Sequence, residues 1–377
     1  MKRESHKNRR VILVGGGTGG HVVPIYRIHQ YLLDHDPDTP VTIIGSGSEI
    51  EQLFFGGLPN YLTLSAGKFK GYDLLVNLWQ AILFCAGFVQ ALIYLIQIRP
   101  KIIFAKGGYV TVPILTWARI LRIPYFVHES DVLMGRANRF GANGAKKVFT
   151  GFPTKNYPEL QKKKIEFCGQ IISDEERKKP FERFDFGFKN ENPVILITGG
   201  SLGAVNLNKN VFGSLSEILL KYNIIHQTGS KGYQEAINVR AALPESMKRS
   251  YFISDFLSSL DNDNKILAAM EMADLVIARA GATTVAEIAM AGKPMVLVPY
   301  PYAAGDHQTK NAKALEEAGA CVTISDKDLT PQALTKIINN LFKDKDRMKK
   351  MAKSAKEFFP TDAVEKISKE IIKEVSK

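Results

Sequence analysis

The sequence predicts an α/β protein of two similar doubly wound domains, each built on a parallel sheet. Three observations predict it. Residues 11–21 (VILVGGGTGGH) and 194–204 (VILITGGSLGA) share one pattern: a short β-branched run, a glycine-rich turn, then helical periodicity. Apolar strands and helical stretches alternate around both segments. The length of 377 residues suits about two domains of roughly 100 to 200 residues each.

Taken in order, the first half offers strands at 11–14, 41–45 (VTIIG), 101–105 (KIIFA) and 125–129 (YFVHE). The second offers 194–198, 224–227 (IIHQ), 251–254 (YFIS), 275–278 (LVIA), 295–299 (MVLVP) and 321–324 (CVTI). The polar stretch 173–192, with Pro180 and then Pro193, reads as the linker region. The expected boundaries are 1–168 and 169–355, with a Lys-rich amphipathic helix over 356–377 packing back on the first domain. A cleft faced by both domains is the default binding site.

Composition narrows the class. With 45% hydrophobic and 23% charged residues, the chain is neither disordered nor fibrous. Cys85, Cys168 and Cys321 lie far apart, which excludes a disulfide framework or a cysteine-built zinc site and fits a reducing compartment. The net charge is +12, and residues 64–150 carry 11 Lys/Arg against three acids. Within that region, residues 74–98 hold no charge at all. A basic margin around an apolar stretch suits an anionic membrane surface better than nucleic acid. The plainer alternative is solvated lysines around a buried helix. The stretch is long enough to span a bilayer, but Asn77, Gln80, Gln90 and Gln97 interrupt it and Gly87 weakens it. A monotopic contact or a buried helix is therefore expected. The basic N-terminus precedes an apolar run too short for a signal-peptide core, so a cytoplasmic location is expected.

The candidate chemistry lies at strand ends. Gly15, Gly17 and Gly20 satisfy G-x-G-x-x-G, a pattern that brings backbone N–H groups at a helix N-terminus close to a diphosphate. The acid expected after the second strand is out of place, with Glu49 several residues late. Two such turns suggest phosphate-binding capacity in both domains, against the bland reading of tight strand–helix turns. His21, just past the first turn, is of a type able to act as base near neutral pH. Downstream, Arg279-Ala-Gly-Ala-Thr-Thr-Val-Ala-Glu287 follows a strand with small and hydroxyl residues that open a helix toward an anion. Glu287 falls where a carboxylate can accept both hydrogen bonds of a ribose diol. The cluster 306–311 (DHQTKN) opens a further helix.

These segments together resemble the MurG family, the UDP-N-acetylglucosamine transferases that convert lipid I to lipid II in peptidoglycan synthesis. The resemblance is carried by GGGTGGHVVP (15–24), GGYVTVP (107–113), HESD with Asn138 (128–138), GGSLGAVNLN (199–208), FISD (252–255), RAGATTVAEIAMAGKP (279–294) and HQTKNA (307–312). It implies a GT-B fold and inverting, metal-independent transfer of N-acetylglucosamine to the muramyl 4-hydroxyl of an undecaprenyl-linked acceptor. The enzyme would sit peripherally on the cytoplasmic membrane face, with no cofactor and no nucleic-acid partner. Gly17, Thr18, Gly19, Gly20 and His21 would line the acceptor side, with His21 as base and Glu129 as a second candidate. Ser201 would contact the donor, and Ile253 would present backbone to the uracil. Arg279 and the run Ala282, Thr283, Thr284, Val285, Ala286 and Glu287 would hold phosphate and ribose, and Gln308 the sugar. Tyr109, His128, Asp131 and Asn138 match further polar positions, Asp131 standing where many members have Asn. The family's arginine after the domain boundary is replaced by Ser173, with Arg177 close by in sequence.

The Asp-x-Asp pairs (Asp36/Asp38, Asp261/Asp263, Asp326/Asp328, Asp344/Asp346) sit in polar loops and read as solvated acids, not metal ligands. Alternatives of other classes are another GT-B glycolipid synthase, a UDP-N-acetylglucosamine epimerase, and an inactive nucleotide-sugar binder. The epimerase does not need an acceptor, and the binder releases no UDP.

Overall fold

The structure, a computed structural model, describes residues 9–65, 67, 74–160, 164–172, 184–200, 203–257 and 265–377. It divides into two compact units, residues 1–173 with 361–377, and residues 174–360.

In the first unit the strands are β1 (Val11–Gly15), β2 (Val41–Gly45), β3 (Tyr61–Thr63), β4 (Ile102–Gly107), β5 (Tyr125–Glu129), β6 (Lys147–Thr150) and β7 (Ile165–Phe167). They form a parallel sheet in the order 3-2-1-4-5-6-7. The order reverses at β1, so the β1 and β4 turns open side by side at the strand C-termini. Helices α1 (Gly19–His35), α2 (Glu49–Phe55), α3 (Leu74–Ile98), α4 (Thr111–Ile120) and α5 (Arg136–Ala142) connect the strands. Strands β1 and β5 are buried at every residue, as parallel strands covered on both faces must be.

The second unit holds β8 (Val194–Thr198), β9 (Asn223–Gln227), β10 (Tyr251–Ser254), β11 (Leu275–Ala278), β12 (Met295–Leu297) and β13 (Val322–Thr323). These pair in parallel in the order 10-9-8-11-12-13. Its helices are α6 (Val205–Ile218), α7 (Tyr233–Ala242), α8 (Glu245–Lys248), α9 (Lys265–Met272), α10 (Ala282–Met290), α11 (His307–Glu317), α12 (Pro331–Lys343) and α13 (Lys345–Phe358). The last helix, α14 (Ala363–Val375), returns to the first unit. There Ala363, Ile367, Ile371 and Val375 join the core of Val11, Leu13, Ile25 and Phe104.

The unit boundaries differ from the expected 168/169 and 355/356. Residues 169–172 stay with the first unit because they are bonded into it: Gly169 O accepts from His128 Nε2 (3.0 Å), Gln170 Nε2 donates to Ser130 O (2.6 Å), and Ile171 O accepts from Arg27 (3.2 Å). Part of the expected linker is not a plain polar spacer. Phe184 and Phe186 pack edge-on against Phe252 on β10, at centroid distances of 5.7 and 5.0 Å. The expected helix over 74–98 forms, and among the described residues no helix is long and apolar enough to cross a membrane.

Candidate active site

In the first unit three turns meet at the strand C-termini. The turn after β1 runs through Gly16, Gly17 and Thr18 into α1; the turn after β4, which ends at Gly107, begins with Gly108-Tyr109; the loop after β5 is residues 130–135. The first two interlock. Gly108 has φ +87°, and a Cβ there would lie 2.7 Å from Gly16 O and 3.5 Å from His21 Nδ1, so only glycine fits. Tyr109 closes over Gly17, whose own Cβ would stand 3.3 Å from its ring.

His21 occupies the first turn of α1. Its Nδ1 lies 3.1 Å from Gly16 O and 3.2 Å from Thr18 Oγ1. A carbonyl can only accept, so Nδ1 carries the proton and Nε2 keeps its lone pair. Burial, and then the charge of Lys106, push its pKa down to about 4, against the Gly16 hydrogen bond and Glu51. His21 is thus a neutral imidazole of fixed tautomer. Thr18, Gly19 and Gly20 supply the first N–H groups of α1, which have no intrahelical acceptor.

The polar residues behind this turn hold it in place. Glu129 is buried at the end of β5 and accepts from Asp131 N and Gly135 N (both 2.9 Å) and from Asn138 Nδ2 (2.9 Å). Its acceptor capacity is directed into its own loop, which places Asp131. Burial and Asp131 raise its pKa, against those hydrogen bonds and Lys106. Asn138 also donates to His128 O (3.1 Å). The His128 ring is fully enclosed (0% exposed) and spends Nε2–H on Gly169 O. Burial and Lys106 keep it neutral. Sequence reasoning missed Lys106 and Glu51. Lys106 lies buried at the end of β4 and donates to Ser130 Oγ (2.7 Å), its pKa lowered by burial against Glu129 and Asp131. Glu51, on α2, accepts from Gly17 N (2.7 Å), so one turn N–H is already taken. That modifies the expectation that both glycine turns are open to phosphate.

In the second unit, Gly203 between β8 and α6 has φ +81°, and a Cβ there would stand 2.3 Å from Thr228 O. A buried network sets this approach. His226 Nε2–H meets Asn208 Oδ1 (3.1 Å), Asn208 Nδ2 donates to Thr228 O (2.8 Å), and Tyr251 OH is 2.9 Å from His226 Nδ1. Ser201, Ser173 and Arg177 lie outside the described residues.

After β11, Gly281 caps α10 in extended conformation with no side-chain hydrogen bond, and Val285 N makes the first helical bond to Gly281 O. The N–H groups before it point out of the helix end. Thr283, Thr284 and Glu287 are partly exposed, whereas Val285 and Ala286 are wholly buried and Ala282 nearly so. The latter three can meet a ligand only through backbone. Arg279 is buried and anchors the loop after β12. Its Nη1 donates to Val298 O (3.1 Å), Pro299 O (3.2 Å) and Asp326 Oδ1 (2.5 Å). Asp326 also accepts from Asn206 (2.9 Å), so it is a structural partner and not the solvated acid expected. Asp36, bonded to Arg9 (2.6 Å), and Asp344, which caps α13, are likewise engaged. Asp261 and Asp263 lie outside the described residues. Gln308, in the first turn of α11, accepts from Tyr300 N through Oε1 (2.9 Å), and its NH₂ is the donor end of the same amide. Ile253 sits on β10, an edge strand with β9 on one side only.

Two parallel-sheet units with glycine turns and a helix N-terminus define a GT-B architecture. Residues 11–150 match the glycosyltransferase family 28 N-terminal domain and residues 194–367 the family's C-terminal domain. The chain belongs to glycosyltransferase family 28 and, within it, to the MurG family. It is 32% identical, over 95% of its length and 97% of the relative's, to the UDP-N-acetylglucosamine–N-acetylmuramyl-(pentapeptide) pyrophosphoryl-undecaprenol N-acetylglucosamine transferase of Desulfitobacterium hafniense. The Oenococcus oeni protein of the same name is 32% identical over 97% of this chain and 98% of its own. Among solved structures, Acinetobacter baumannii MurG superposes with a TM-score of 0.75 at 26% identity, covering 97% of this chain and 99% of that one. A UDP-GlcNAc 2-epimerase from Neisseria meningitidis, at TM-score 0.66 and 13% identity over 97% of this chain and all of its own, shares the fold.

Proposed function

We propose that this protein transfers N-acetylglucosamine from UDP-N-acetylglucosamine to the 4-hydroxyl of N-acetylmuramyl-pentapeptide pyrophosphoryl-undecaprenol, with inversion. The single observation that carries this is near-full-length identity to relatives bearing that transferase's name. The site chemistry supports it. His21 Nε2 takes the acceptor hydroxyl's proton as oxygen attacks the anomeric carbon and the bond to UDP breaks. The N-terminus of α10, with Thr283 and Thr284, stabilises the leaving diphosphate. Glu287 accepts from the ribose diol, Gln308 donates to the sugar, and the free edge of β10 at Ile253 meets the uracil. Gly17, Thr18, Gly19, Gly20, Tyr109 and Asp131 bound the acceptor side. Glu129, His128, Asn138 and Arg279 are positioning residues, because their polar atoms are directed inward.

The acceptor arrives from an anionic membrane. Helix α3 buries Gly87, Ala91 and Leu95 on one face. On its other face Ile82, Val89, Ile93 and Ile96 are 45–60% exposed, a spacing that lines one side of a helix. Ile120 and Leu121, at the end of α4, are exposed too, and so are Arg99, Arg119 and Arg122 in the same segments. An exposed apolar helix face together with exposed arginines suits monotopic contact with acidic lipid.

The deciding assay is UDP release from UDP-N-acetylglucosamine with and without a soluble lipid I analogue. One UDP per disaccharide product is expected. Release or epimerised sugar without acceptor would sink the transferase reading, and no release at all would leave a sugar-nucleotide binder.

A further inference from the structure

We propose that Glu51 is an anion built into the first glycine-rich turn, standing where a phosphate would otherwise bind, so that this turn receives an uncharged part of the acceptor and turns a diphosphate away. The inference rests on the transferase reading above and deepens it.

Glu51 lies in the first turn of α2 and is completely buried (0% exposed). Its Oε1 accepts from Gly17 N and Ser46 Oγ, both at 2.7 Å. Its Oε2 accepts from Gly47 N and Tyr61 OH, both at 2.8 Å. One carboxylate therefore bridges the turns after β1 and β2, drawing on backbone N–H and hydroxyl donors as a bound phosphate would. The fit is close. A Cβ on Gly16 would stand 2.4 Å from Oε1, and one on Gly45 2.3 Å from Oε2. The bare backbone here makes room for a resident carboxylate. Burial by itself would raise the pKa of this group, yet the bonds from Ser46, Gly17 and Tyr61 outweigh it and keep the carboxylate ionised.

A full negative charge bonded to the turn offsets the roughly half positive charge of a helix N-terminus. It also repels any phosphate brought to the same N–H groups. Of the turn's own backbone donors the carboxylate takes Gly17 N; the N–H groups of Thr18, Gly19 and Gly20 remain beside that charge, with a hydroxyl (Thr18), a carbonyl (Gly16) and the neutral His21 imidazole. These groups suit a sugar hydroxyl. The buried cation beside His21, Lys106, is enclosed and directed at Ser130 Oγ (2.7 Å). In the second unit the turn after β8 is braced differently, with neutral Thr198 Oγ1 accepting from Gly200 N (3.2 Å).

Glu51→Gln keeps the shape and an oxygen acceptor but removes the charge. The test is NMR of the ¹⁵N-histidine-labelled full chain, with His21 assigned by His21→Gln, titrated with magnesium-free inorganic pyrophosphate in excess UDP. We expect the wild-type His21 signals to stay still while those of Glu51→Gln titrate, with affinity at least about tenfold tighter. Equal titration in both proteins, or none in either, would overturn the proposal. The measurement needs no turnover, so a protein that failed the UDP-release assay would still decide it. If Glu51→Gln does not fold, the wild-type titration decides. His21 signals that stay still at pyrophosphate concentrations that displace the UDP-sugar support the proposal, and His21 signals that move overturn it.

Discussion

If His21 takes the acceptor's proton, turnover should persist to far lower pH than an ordinary histidine allows. Burial first, and Lys106 second, push its pKa to about 4, with Glu51 and the Gly16 carbonyl pulling the other way. At about pH 6 an imidazole of ordinary pKa 6.5 is neutral in about a quarter of molecules, whereas His21 is neutral in about 99%. Between about pH 8 and pH 6, kcat/KM should therefore scarcely change, where an unperturbed base would lose about fourfold. Stability carries the same signature with a definite sign. The unfolded chain binds this proton below about pH 6.5 and the folded chain only near pH 4, so stability is lost as pH falls through that window. By about pH 5 the cost is about 2 kcal/mol. His21→Gln should then lower turnover about 10²- to 10⁴-fold yet stabilise the first unit at about pH 5 relative to wild type, and much less at about pH 7.5. The assays are a pH–rate profile of UDP release and urea melts of both proteins at the two pH values. An acid limb near pH 6.5, near-normal turnover in His21→Gln, or a melting difference equal at both pH values would refute the reasoning.

Three other outcomes follow from named contacts. Glu287→Ala should raise KM for the UDP-sugar about tenfold or more with a smaller effect on kcat, since a charge-assisted hydrogen bond is worth about 1.5–3 kcal/mol; an unchanged KM removes Glu287 from the ribose. Asn208→Ala leaves the buried His226 Nε2–H and Thr228 O without their partner, which should cost the second unit about 1–3 kcal/mol for each orphaned group, visible as earlier melting with the first unit unaffected. Ile93→Glu, on the exposed face of α3, should weaken co-sedimentation with anionic vesicles several-fold while UDP binding, followed by titration calorimetry, stays as it was; unaltered sedimentation would place the membrane contact elsewhere.

The strands named from the sequence are those whose β-branched runs are buried on both faces, such as VILVG and VILIT. Those it passed over, β3, β6 and β7, are three or four residues long, and two of them carry charge. Lys147 and Glu166 hide in β6 and β7 because they pair with each other (2.6 Å), and Glu370 of α14 joins them (3.4 Å). That partnership is visible only once the C-terminal helix has returned to the first unit. Phe184 and Phe186 were lost in a polar stretch for a similar reason, their partner Phe252 lying far along the chain. Histidines were the hardest to read. His21, His128 and His226 all follow or lie on apolar strands and are all held neutral by burial. His226 has a partner on each ring nitrogen, and His128 is sealed from solvent. Nothing local in sequence separates them from the one whose Nε2 remains a usable lone pair.

The glycine motifs make the same point about anions. A G-x-G-x-x-G turn states that the backbone is bare and that helix N–H groups are near; it does not state what fills the space. In the first unit the occupant comes from the chain itself, 34 residues beyond the N–H it takes. A second acid, Glu129, serves the loop after β5 in the same manner, satisfying Asp131 N and Gly135 N. The first unit thus meets the donors Gly17 N, Gly47 N, Asp131 N and Gly135 N with its own carboxylates, and the His21 imidazole is uncharged. In the second unit the α10 N-terminus has no side-chain cap from Gly281. A diphosphate needs positive potential that has not been spent, and a hydroxyl nucleophile needs a neutral acceptor that stays unprotonated. In the reaction proposed above, that criterion would give the diphosphate of the sugar nucleotide to the second unit and the attacking hydroxyl to the first.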